Sequence, residues 1–301
     1  MQLVTVICLC HNHRAFVIEA LQSVLQQTHA HVQLIVVDDA STDGSKIIIA
    51  NFLSQYQHIE FIDLEENVGS CKAFNIALKK AKGDFIIDLA ADDVLLPERI
   101  EEGLACFEKN GPEYGLQFSD AVITNAAGEI LSLHSDKFPH ATIPQGDIYK
   151  DLIERYFICS PTMMFRKELI DELSGYDEQL SYEDFDLWIR SARKWKYCYI
   201  PKALIKRRIL PKSLSAKQFS IGSLHQRSTY LICEKVMRLN RTTDEQRALD
   251  KRIRYEIRIN IRLLNWKLAV EYFFLKVKNN KIYYAQAIAY FLLSSPLTIL
   301  T

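Results

Sequence analysis

Two pairs of adjacent aspartates each follow an apolar run in the N-terminal third of the chain. Asp38 and Asp39 follow VQLIVV, and Asp92 and Asp93 follow IIDLAA. Adjacent carboxylates repel each other and lose hydration when buried, so such a pair is costly unless a cation or hydrogen-bond donors stabilise it. Aspartate is also common in surface turns and at helix starts. The pairs alone therefore leave open a turn or a site for a cation or polyphosphate.

Carboxylates suit a nucleotide site that has no glycine-rich loop. The sequence contains neither GxGxxG nor GxxxxGK[ST], which argues against a dinucleotide fingerprint and an ATP-type phosphate loop. One carboxylate can accept hydrogen bonds from a base or ribose, while another binds a divalent cation that bridges phosphates. Asp38 and Asp39 suit the first role, and Asp92 and Asp93 suit the second. No CxxC pair or histidine cluster indicates zinc.

Alternating strand-like and helix-like segments would position these aspartates. The β-rich runs LVTVICLC, VQLIVVDD and DFIIDLAADD alternate with helical patterns such as AFVIEALQSVLQQ and SCKAFNIALKKAK. We expect the last of these helices to close at Gly83, because glycine is favoured just beyond a helix end. This order predicts an α/β fold with a mostly parallel central sheet flanked by helices. Ligands bind beyond the carboxyl ends of such strands, where both aspartate pairs would lie.

Later segments predict less regular structure. GLQFSDAVITNAAGEILSL indicates two strands around a turn, and SPTMMFRKELIDEL indicates a strand that leads into a helix. GYDEQLSYEDFDLWIRSARKW indicates a loop and then an amphipathic helix, with Leu187, Trp188 and Ala192 packed inward.

Five segments, in this order and spacing, resemble inverting glycosyltransferases of family 2. They are VICLCHNHRAFVIEALQSVLQQT, LIVVDDASTDGS, ENVGSCKAFNIALKKAKGDFIIDLAADDVLLPERI, GYDEQLSYEDFDLWIR and RRILPKSLS. The resemblance covers about residues 3–215. It implies the GT-A fold, a nucleoside-diphosphate-sugar donor and a divalent cation, usually Mg2+ or Mn2+. UDP is the most frequent nucleotide of the family.

The resemblance also implies roles for individual residues. The expected nucleotide pocket is lined by Cys10, His11 and Asn12. Asp39 would contact the nucleotide base, with Asp38 close by. Asp92 would contact the ribose or the metal, and Asp93 would be the main metal ligand. Asp184 matches the general base and Glu183 is its neighbour. A carboxylate suits this role because inversion by one in-line attack requires the acceptor hydroxyl to lose its proton. Acids at a helix start are also favoured by the helix dipole, so a structural role stays open.

Some positions depart from the family pattern. Ala90 stands where the metal motif Asp-x-Asp-Asp often has its first aspartate. Leu210 stands where many members have a histidine that completes the metal coordination, so we expect weakened metal binding. Arg208 matches a retained arginine that would face the diphosphate, and a solvated basic loop is the alternative.

Composition restricts the partners and the compartment. Lys plus Arg and Asp plus Glu both number 37 among 301 residues, so net charge does not favour nucleic acid as a partner. Seven cysteines without an extracellular framework, and an N-terminus that resembles a first strand, predict a cytoplasmic protein.

A change of composition near residue 216 predicts a boundary between a catalytic domain, 1–215, and a helical C-terminal region, 216–301. Basic residues recur there at helical spacing and aromatic residues follow them. These are Arg247, Lys251, Arg254, Arg258 and Arg262, and then Trp266, Tyr272, Phe273 and Phe274. A basic face beside an apolar one suits an anionic membrane surface. A helical appendage packed on the catalytic domain, or on a second subunit of a homo-oligomer, is the competing interpretation.

These features together predict a metal-assisted inverting glycosyltransferase of the hexosyl- or N-acetylhexosaminyl-transferase type, in the cytoplasm or on the inner face of the cell membrane. It would add one sugar to a saccharide or lipid-linked saccharide acceptor during synthesis of a surface polysaccharide or glycolipid. The departures at Ala90 and Leu210 leave an alternative. This is a nucleotide-sugar-binding or membrane-associated scaffold subunit that has lost turnover.

Overall fold

The computed structural model describes residues 2–210, 221 and 223–280. These residues divide into two compact units. The first unit contains residues 2–149 and 156–210, and the second, here called the C-terminal unit, contains residues 150–155 and 223–280. The boundary predicted between residues 215 and 216 lies outside the described residues.

The first part of the chain alternates strands and helices as the sequence predicts. It forms β1 (Val4–Cys10), α1 (Val17–Leu25), β2 (Val32–Asp38), α2 (Ser45–Leu53), β3 (Glu60–Asp63), α3 (Ser70–Leu78) and β4 (Phe85–Ala90). The elements that follow are β5 (Val94–Leu95), α4 (Arg99–Asn110), β6 (Tyr114–Thr124), β7 (Ile130–Leu133), α5 (Tyr149–Glu154), β8 (Met164–Arg166), α6 (Lys167–Glu172), α7 (Glu183–Ser191) and β9 (Lys196–Arg208). The predicted hairpin is formed by β6 and β7, and the predicted amphipathic helix is α7.

The sheet has the strand order β3-β2-β1-β4-β8-β6-β9-β5, and β7 pairs with β6 outside this path. The four strands β3, β2, β1 and β4 are parallel neighbours. Strand β8 is antiparallel to both of its neighbours, β4 and β6, whereas β6 and β9 run parallel. The predicted α/β fold is therefore confirmed, with its wholly parallel part in the N-terminal half and mixed pairing beyond β4.

The apolar content of the central strands reflects cover on both faces. Nearly every residue of β1 is buried, and the same holds for most of β4. Helix α1 presents Val17, Ala20, Leu21 and Val24 to this core, which is the spacing of one helical face. The three residues predicted to pack inward are all buried: Leu187 and Trp188 lie on α7, and Ala192 follows its last residue.

Strand register brings both aspartate pairs to one edge of the sheet. Cys10 at the end of β1 pairs with Asp38 at the end of β2, and Leu9 pairs with Ala90 at the end of β4. The chain segments that continue from these strands carry Asp39 and Asp92. The parallel strands thus bring both aspartate pairs to the same edge of the sheet, as the sequence predicts.

The C-terminal unit is helical within the described residues. It contains α8 (Leu224–Leu239), α9 (Thr243–Arg262) and α10 (Trp266–Asn279). Thr242 and Glu245 form a capping box at the start of α9, and Arg252 Nε donates to Ile153 O at 2.7 Å. No helix in the described part of the chain is long and apolar enough to cross a bilayer.

Helix α3 ends at Leu78, and the prediction that it closes at Gly83 is wrong. Gly83 instead lies against β1, where its N–H donates to Thr5 Oγ1 at 2.9 Å. A Cβ atom at this position would lie 2.5 Å from Thr5 N and 2.9 Å from Leu3 O. The glycine is therefore required by close backbone approach and not by a helix end.

We expect Gly83→Ala to lower the free energy of unfolding by about 2 kcal/mol, because the backbone atoms of a buried strand must shift to admit the methyl group. Urea denaturation measures this change. Lys82→Ala is the control, since Lys82 is exposed. Equal stability of the two variants would show that the close approach is relieved without cost.

Candidate functional site

The segment that follows β1 is hydrogen-bonded to the loop that follows β2. Asn12 has a φ of 59°, a left-handed conformation that asparagine tolerates. Its N–H donates to Ser41 Oγ at 2.9 Å, and its Oδ1 accepts from Thr42 N at 2.8 Å. His11 Nδ1 lies 2.7 Å from Asp39 O. These bonds fix two of the predicted pocket residues at the carboxyl edge of the sheet.

Cys10 lies beneath this segment. It is buried, and burial raises the pKa of its thiol to about 11. The side chain is therefore a neutral thiol at physiological pH. This makes Cys10 a lining residue and not an anionic ligand.

The carboxylates of Asp38 and Asp39 have different environments. Asp39 accepts hydrogen bonds from Val68 N at 2.7 Å and Gly69 N at 2.9 Å, and so holds the loop before α3. Asp38 is fully buried and accepts from Ser41 N at 2.9 Å through Oδ2. Its Oδ1 has no hydrogen-bond partner among the described residues. A buried unpaired oxygen is costly, so Asp38 retains an acceptor that a ligand could satisfy.

Asp92 and Asp93 form the turn after β4. Burial, followed by the negative charge of Asp92, raises the pKa of Asp93 to about 7. Asp93 Oδ1 accepts from Arg208 N at 2.8 Å, and His13 Nε2 lies 3.9 Å from Asp92 Oδ2. An ionised pair at this position is held at an energetic cost that a bound cation would offset.

The donor set at this turn fits a divalent cation that is shared with a ligand. No group of three or more His, Cys, Asp or Glu side chains within the described ranges could hold a metal alone. Mg2+ commonly binds through one or two carboxylates, with phosphates and water completing its octahedron. Asp92 and Asp93 supply such a pair. Neither Ala90 nor Leu210 has a side chain that can coordinate a metal.

Arg208 braces the aspartate turn from β9. Its Nη1 donates to Asp92 O, and its Nη2 donates to Glu19 Oε2 at 2.8 Å. The guanidinium carbon lies 4.5 Å from the centroid of the Phe16 ring. Arg208 ties the aspartate turn to α1, because its backbone and side chain contact the turn and its side chain also contacts Glu19 on α1. The predicted contact with a diphosphate would add to this bracing role.

Arg207, the residue before it, is a cation whose charge reaches both Asp93 and Asp184. It is half-buried. Burial raises the pKa of both Asp93 and Asp184, and the positive charge of Arg207 opposes that rise in each case. Arg207 is not among the site residues predicted from the sequence. The available signal was its position next to Arg208 in the last of the five segments.

Three carboxylates gather around the start of α7. Burial and then the charge of Glu183 raise the pKa of Asp184 well above its ordinary value. Burial raises the pKa of Glu183 as well, and its Oε1 accepts from Ser70 Oγ at 3.4 Å. The third member is Asp88, which the sequence analysis missed. A carboxylate with raised proton affinity is what a general base requires.

Asp88 belongs to β4 and has its own buried partner. Burial, followed by the charge of Glu183, raises the pKa of Asp88 to about 7. Tyr176 Oη donates to Asp88 Oδ2 at 3.1 Å. Alternation along the strand places Asp88 on the same face as Ala90. This face of β4 thus carries a carboxylate two residues before the position where the family motif has one.

The chain shows clear similarity to known protein families. A model described as glycosyl transferase family 2 matches residues 5–174. A candidate teichuronic acid biosynthesis glycosyltransferase of Bacillus subtilis, TuaG, is 27% identical over 239 residues, which cover 79% of this chain and 90% of that protein. An uncharacterised glycosyltransferase of Methanocaldococcus jannaschii is 30% identical over 211 residues, covering 69% of this chain and 71% of that protein.

Solved structures share the fold at lower identity. TarS residues 1–349 of S. aureus, in complex with UDP-GlcNAc, superpose with a TM-score of 0.68 at 18% identity, covering 92% of this chain and 79% of that one. The mannosyltransferase PcManGT of Pyrobaculum calidifontis, in complex with GDP-Man and Mn2+, has a TM-score of 0.62 at 15% identity, with coverage of 92% and 87%. Both are GT-A glycosyltransferases, so the predicted GT-A fold is confirmed.

We expect Asp88→Asn to stabilise the ligand-free protein in a pH-dependent manner. The folded-state pKa of Asp88, about 7, lies above its ordinary value of 3.8, so the wild type loses stability as pH rises between these values. The amide keeps an acceptor for Tyr176 and carries no charge. At pH 8 the variant should be more stable by about 2 kcal/mol or more, and near pH 4 this advantage should vanish.

Chemical denaturation from pH 4 to pH 8 measures this difference. Glu108→Gln is the control, since Glu108 is exposed on α4. Parallel stability curves for wild type and Asp88→Asn would mean that Asp88 titrates normally and is not part of a desolvated cluster.

Proposed function

Because the chain belongs to glycosyltransferase family 2, we propose that it is an inverting enzyme that transfers one sugar from a nucleoside-diphosphate sugar to a saccharide acceptor. One observation carries this proposal. The aspartate turn at the edge of the sheet and the acidic cluster at the start of α7 are both within range of the charge of Arg207. This shared neighbour supports a single site that contains the parts for leaving-group stabilisation and for proton removal.

The nucleotide would bind over the ends of β1 and β2. Cys10, His11 and Asn12 would line its pocket, and the unused oxygen of Asp38 would accept a hydrogen bond from the base or ribose. Asp39 would hold the base-side loop through its two backbone hydrogen bonds and offer its remaining lone pairs to the base. We propose a UDP-sugar as donor. The family preference and the UDP-GlcNAc bound by TarS support this choice.

Asp93 and Asp92 would hold the divalent cation, Mg2+ or Mn2+. A cation held there would supply positive charge against the negative charge that develops on the leaving group. Arg207 supplies a fixed positive charge to the same region. The Mn2+ in the mannosyltransferase structure supports metal use in this fold. With Ala90 and Leu210 in place of two potential ligands, the protein side of the coordination shell would consist of the aspartate pair.

Asp184 would act as the general base. The acceptor hydroxyl oxygen attacks the anomeric carbon as the bond from that carbon to the diphosphate oxygen breaks, and the configuration inverts. The hydroxyl proton moves to Asp184, and the diphosphate leaves with the bonding electron pair. Burial, and then the charges of Glu183 and Asp88, raise the pKa of Asp184, and this higher proton affinity favours proton removal.

We propose an acceptor from surface polysaccharide or glycolipid synthesis, free or lipid-linked, and a cytoplasmic site of action. The similarity to TuaG, which is named for teichuronic acid biosynthesis, supports this class. The second candidate function is a nucleotide-sugar-binding scaffold without turnover. The substitutions at Ala90 and Leu210 favour it, while the retained Asp93 and Asp184 favour the enzyme.

We expect a metal-dependent thermal stabilisation by one class of donor. A panel of UDP-, dTDP-, GDP- and CMP-sugars is measured by thermal shift with and without Mn2+, because a ligand that binds only the folded state raises the Tm. Asp93→Asn should remove the Mn2+-dependent part of the shift, whereas the control Glu108→Gln should retain it. Absence of any shift in folded wild-type protein would contradict the proposed donor site.

Asp184→Asn should bind the donor as the wild type does but lose turnover by about a thousandfold, since the amide cannot accept the proton. Turnover is followed as release of the nucleoside diphosphate during slow donor hydrolysis, in which water replaces the acceptor hydroxyl. Thermal shift with the same donor reports binding. Full turnover in the variant would exclude Asp184 as the base, and no turnover in the wild type with intact binding would favour the scaffold.

A further inference from the structure

Helix α10 has two apolar faces, and only one of them is buried within the described part of the chain. Its inner face packs against α8 and α9 through Leu268, Ala269, Tyr272 and Leu275, which are buried. Tyr272, which the sequence analysis groups with the other aromatic residues, therefore belongs to the core. A second set of large apolar side chains, here called the outer stripe, consists of Trp266, Val270, Phe273 and Phe274, and each is more than half exposed.

The outer stripe is a continuous surface. At the helical period its four residues fall within a sector of about 100°. The rings of Phe273 and Phe274 are in contact, with centroids 6.0 Å apart. Contiguous exposed apolar side chains of this size mark an interaction site, because isolated ones are common but clusters are not.

A cationic groove lies between α9 and α10 in the same unit. It has a volume of about 930 Å³. One acidic side chain, Asp250, lines the groove. Five basic side chains line it as well: Arg247, Lys251, Arg254, Arg258 and Lys276. The four basic residues of α9 extend over roughly 16 Å along the helix axis. This is a row of positive charge and not a single contact point.

Some of this charge is already paired within the unit. Lys251 Nζ lies 2.6 Å from Glu154 Oε2, and Arg254 pairs with Asp250. Arg247 pairs with Asp244 at 3.1 Å, but both side chains are largely exposed, so the pair is weak. Arg258 is exposed and has no acidic partner in the described part of the chain. The groove therefore retains positive charge for an anionic ligand.

The groove and the outer stripe adjoin on α10. Lys276 lines the groove and lies two residues beyond Phe274. On the helical wheel it borders one side of the outer stripe, and Lys267 and Lys278 border the other. An apolar aromatic stripe between rows of basic side chains is the pattern of a helix that lies in the interface of an anionic bilayer. A second copy of the chain would present the same positive sign to this surface, which disfavours self-association.

We propose that the C-terminal unit binds the surface of an anionic phospholipid bilayer. The outer stripe enters the boundary between headgroups and acyl chains, and the cationic groove takes the lipid phosphates. This inference is independent of the proposed reaction, because no residue of the candidate active site takes part in it.

Vesicle co-sedimentation of the full chain tests the proposal. The vesicles contain phosphatidylcholine alone, or phosphatidylcholine with phosphatidylglycerol. We expect binding only to the anionic vesicles, and weaker binding at high salt, because the surface potential is screened. Equal binding to both vesicle types, or to neither, would overturn the proposal.

Two double variants separate the contributions of the two surfaces. Phe273→Ser with Phe274→Ser should weaken partition into anionic vesicles by about tenfold or more. Arg247→Gln with Arg258→Gln should weaken it by a similar factor and reduce its salt dependence. All four residues are exposed, so circular dichroism should show folded variants.

Matched controls remove the same chemistry from the first unit. Ile130→Ser with Leu131→Ser removes two exposed apolar side chains, and Lys79→Gln with Lys82→Gln removes two exposed positive charges. Both controls should bind vesicles like the wild type. Equal loss in controls and test variants would contradict a specific surface. A lipid-free oligomer that dissociates on Phe273→Ser with Phe274→Ser, as seen by light scattering, together with unchanged vesicle binding, would assign the stripe to self-association and overturn the proposal.

Discussion

Burial of carboxylates at one edge of the sheet is the constraint on which the candidate site depends. Asp38, Asp93 and Asp184 all lose hydration there, and each must be compensated or remain costly. The chain compensates part of this cost with backbone donors, such as the amide of Arg208 beside Asp93. The uncompensated part of the cost is seen in the raised pKa of Asp93 and Asp184 and in the unpaired oxygen of Asp38. A ligand that carries a cation and hydrogen-bond donors would offset that part, so the same charges destabilise the free protein and favour the bound one.

Support for this arrangement comes from the last strand of the first unit. Strand β9 pairs antiparallel with β5, with Lys206 opposite Val94. This register brings Arg208 to the aspartate turn, and from there its guanidinium reaches Glu19 on α1. The turn is thus held between the first helix and the last strand of the first unit. Both residues of the short strand β5 are buried, and its pairing with β9 fixes the alignment on which the acidic turn depends.

Local patterns in the sequence were sufficient for the parallel half of the fold. The strands β1, β2 and β4 are largely apolar, and the aspartates at or after the ends of β2 and β4 mark the predicted functional edge. The insertion of β8 between β4 and β6 could not be predicted, since it depends on pairing between distant segments. The role of Gly83 was misjudged for the same reason: its requirement comes from β1 and not from the helix before it. Asp88 resembles any polar residue within a strand until α7 places Glu183 nearby.

The departures from the family motif are best understood as a redistribution of charge. Under the proposed function, Ala90 removes one anionic group near the cation and Leu210 removes a neutral ligand. Arg207 then brings a positive charge that requires no binding from solution and acts on both Asp93 and Asp184. A site with fewer metal ligands and a fixed cation would rely less on tight metal binding to stabilise a leaving diphosphate. The electrostatic requirement concerns the total positive charge at the leaving group and not one particular source of it. Catalysis can therefore be retained when Ala90 and Leu210 replace two ligands, because Arg207 supplies positive charge.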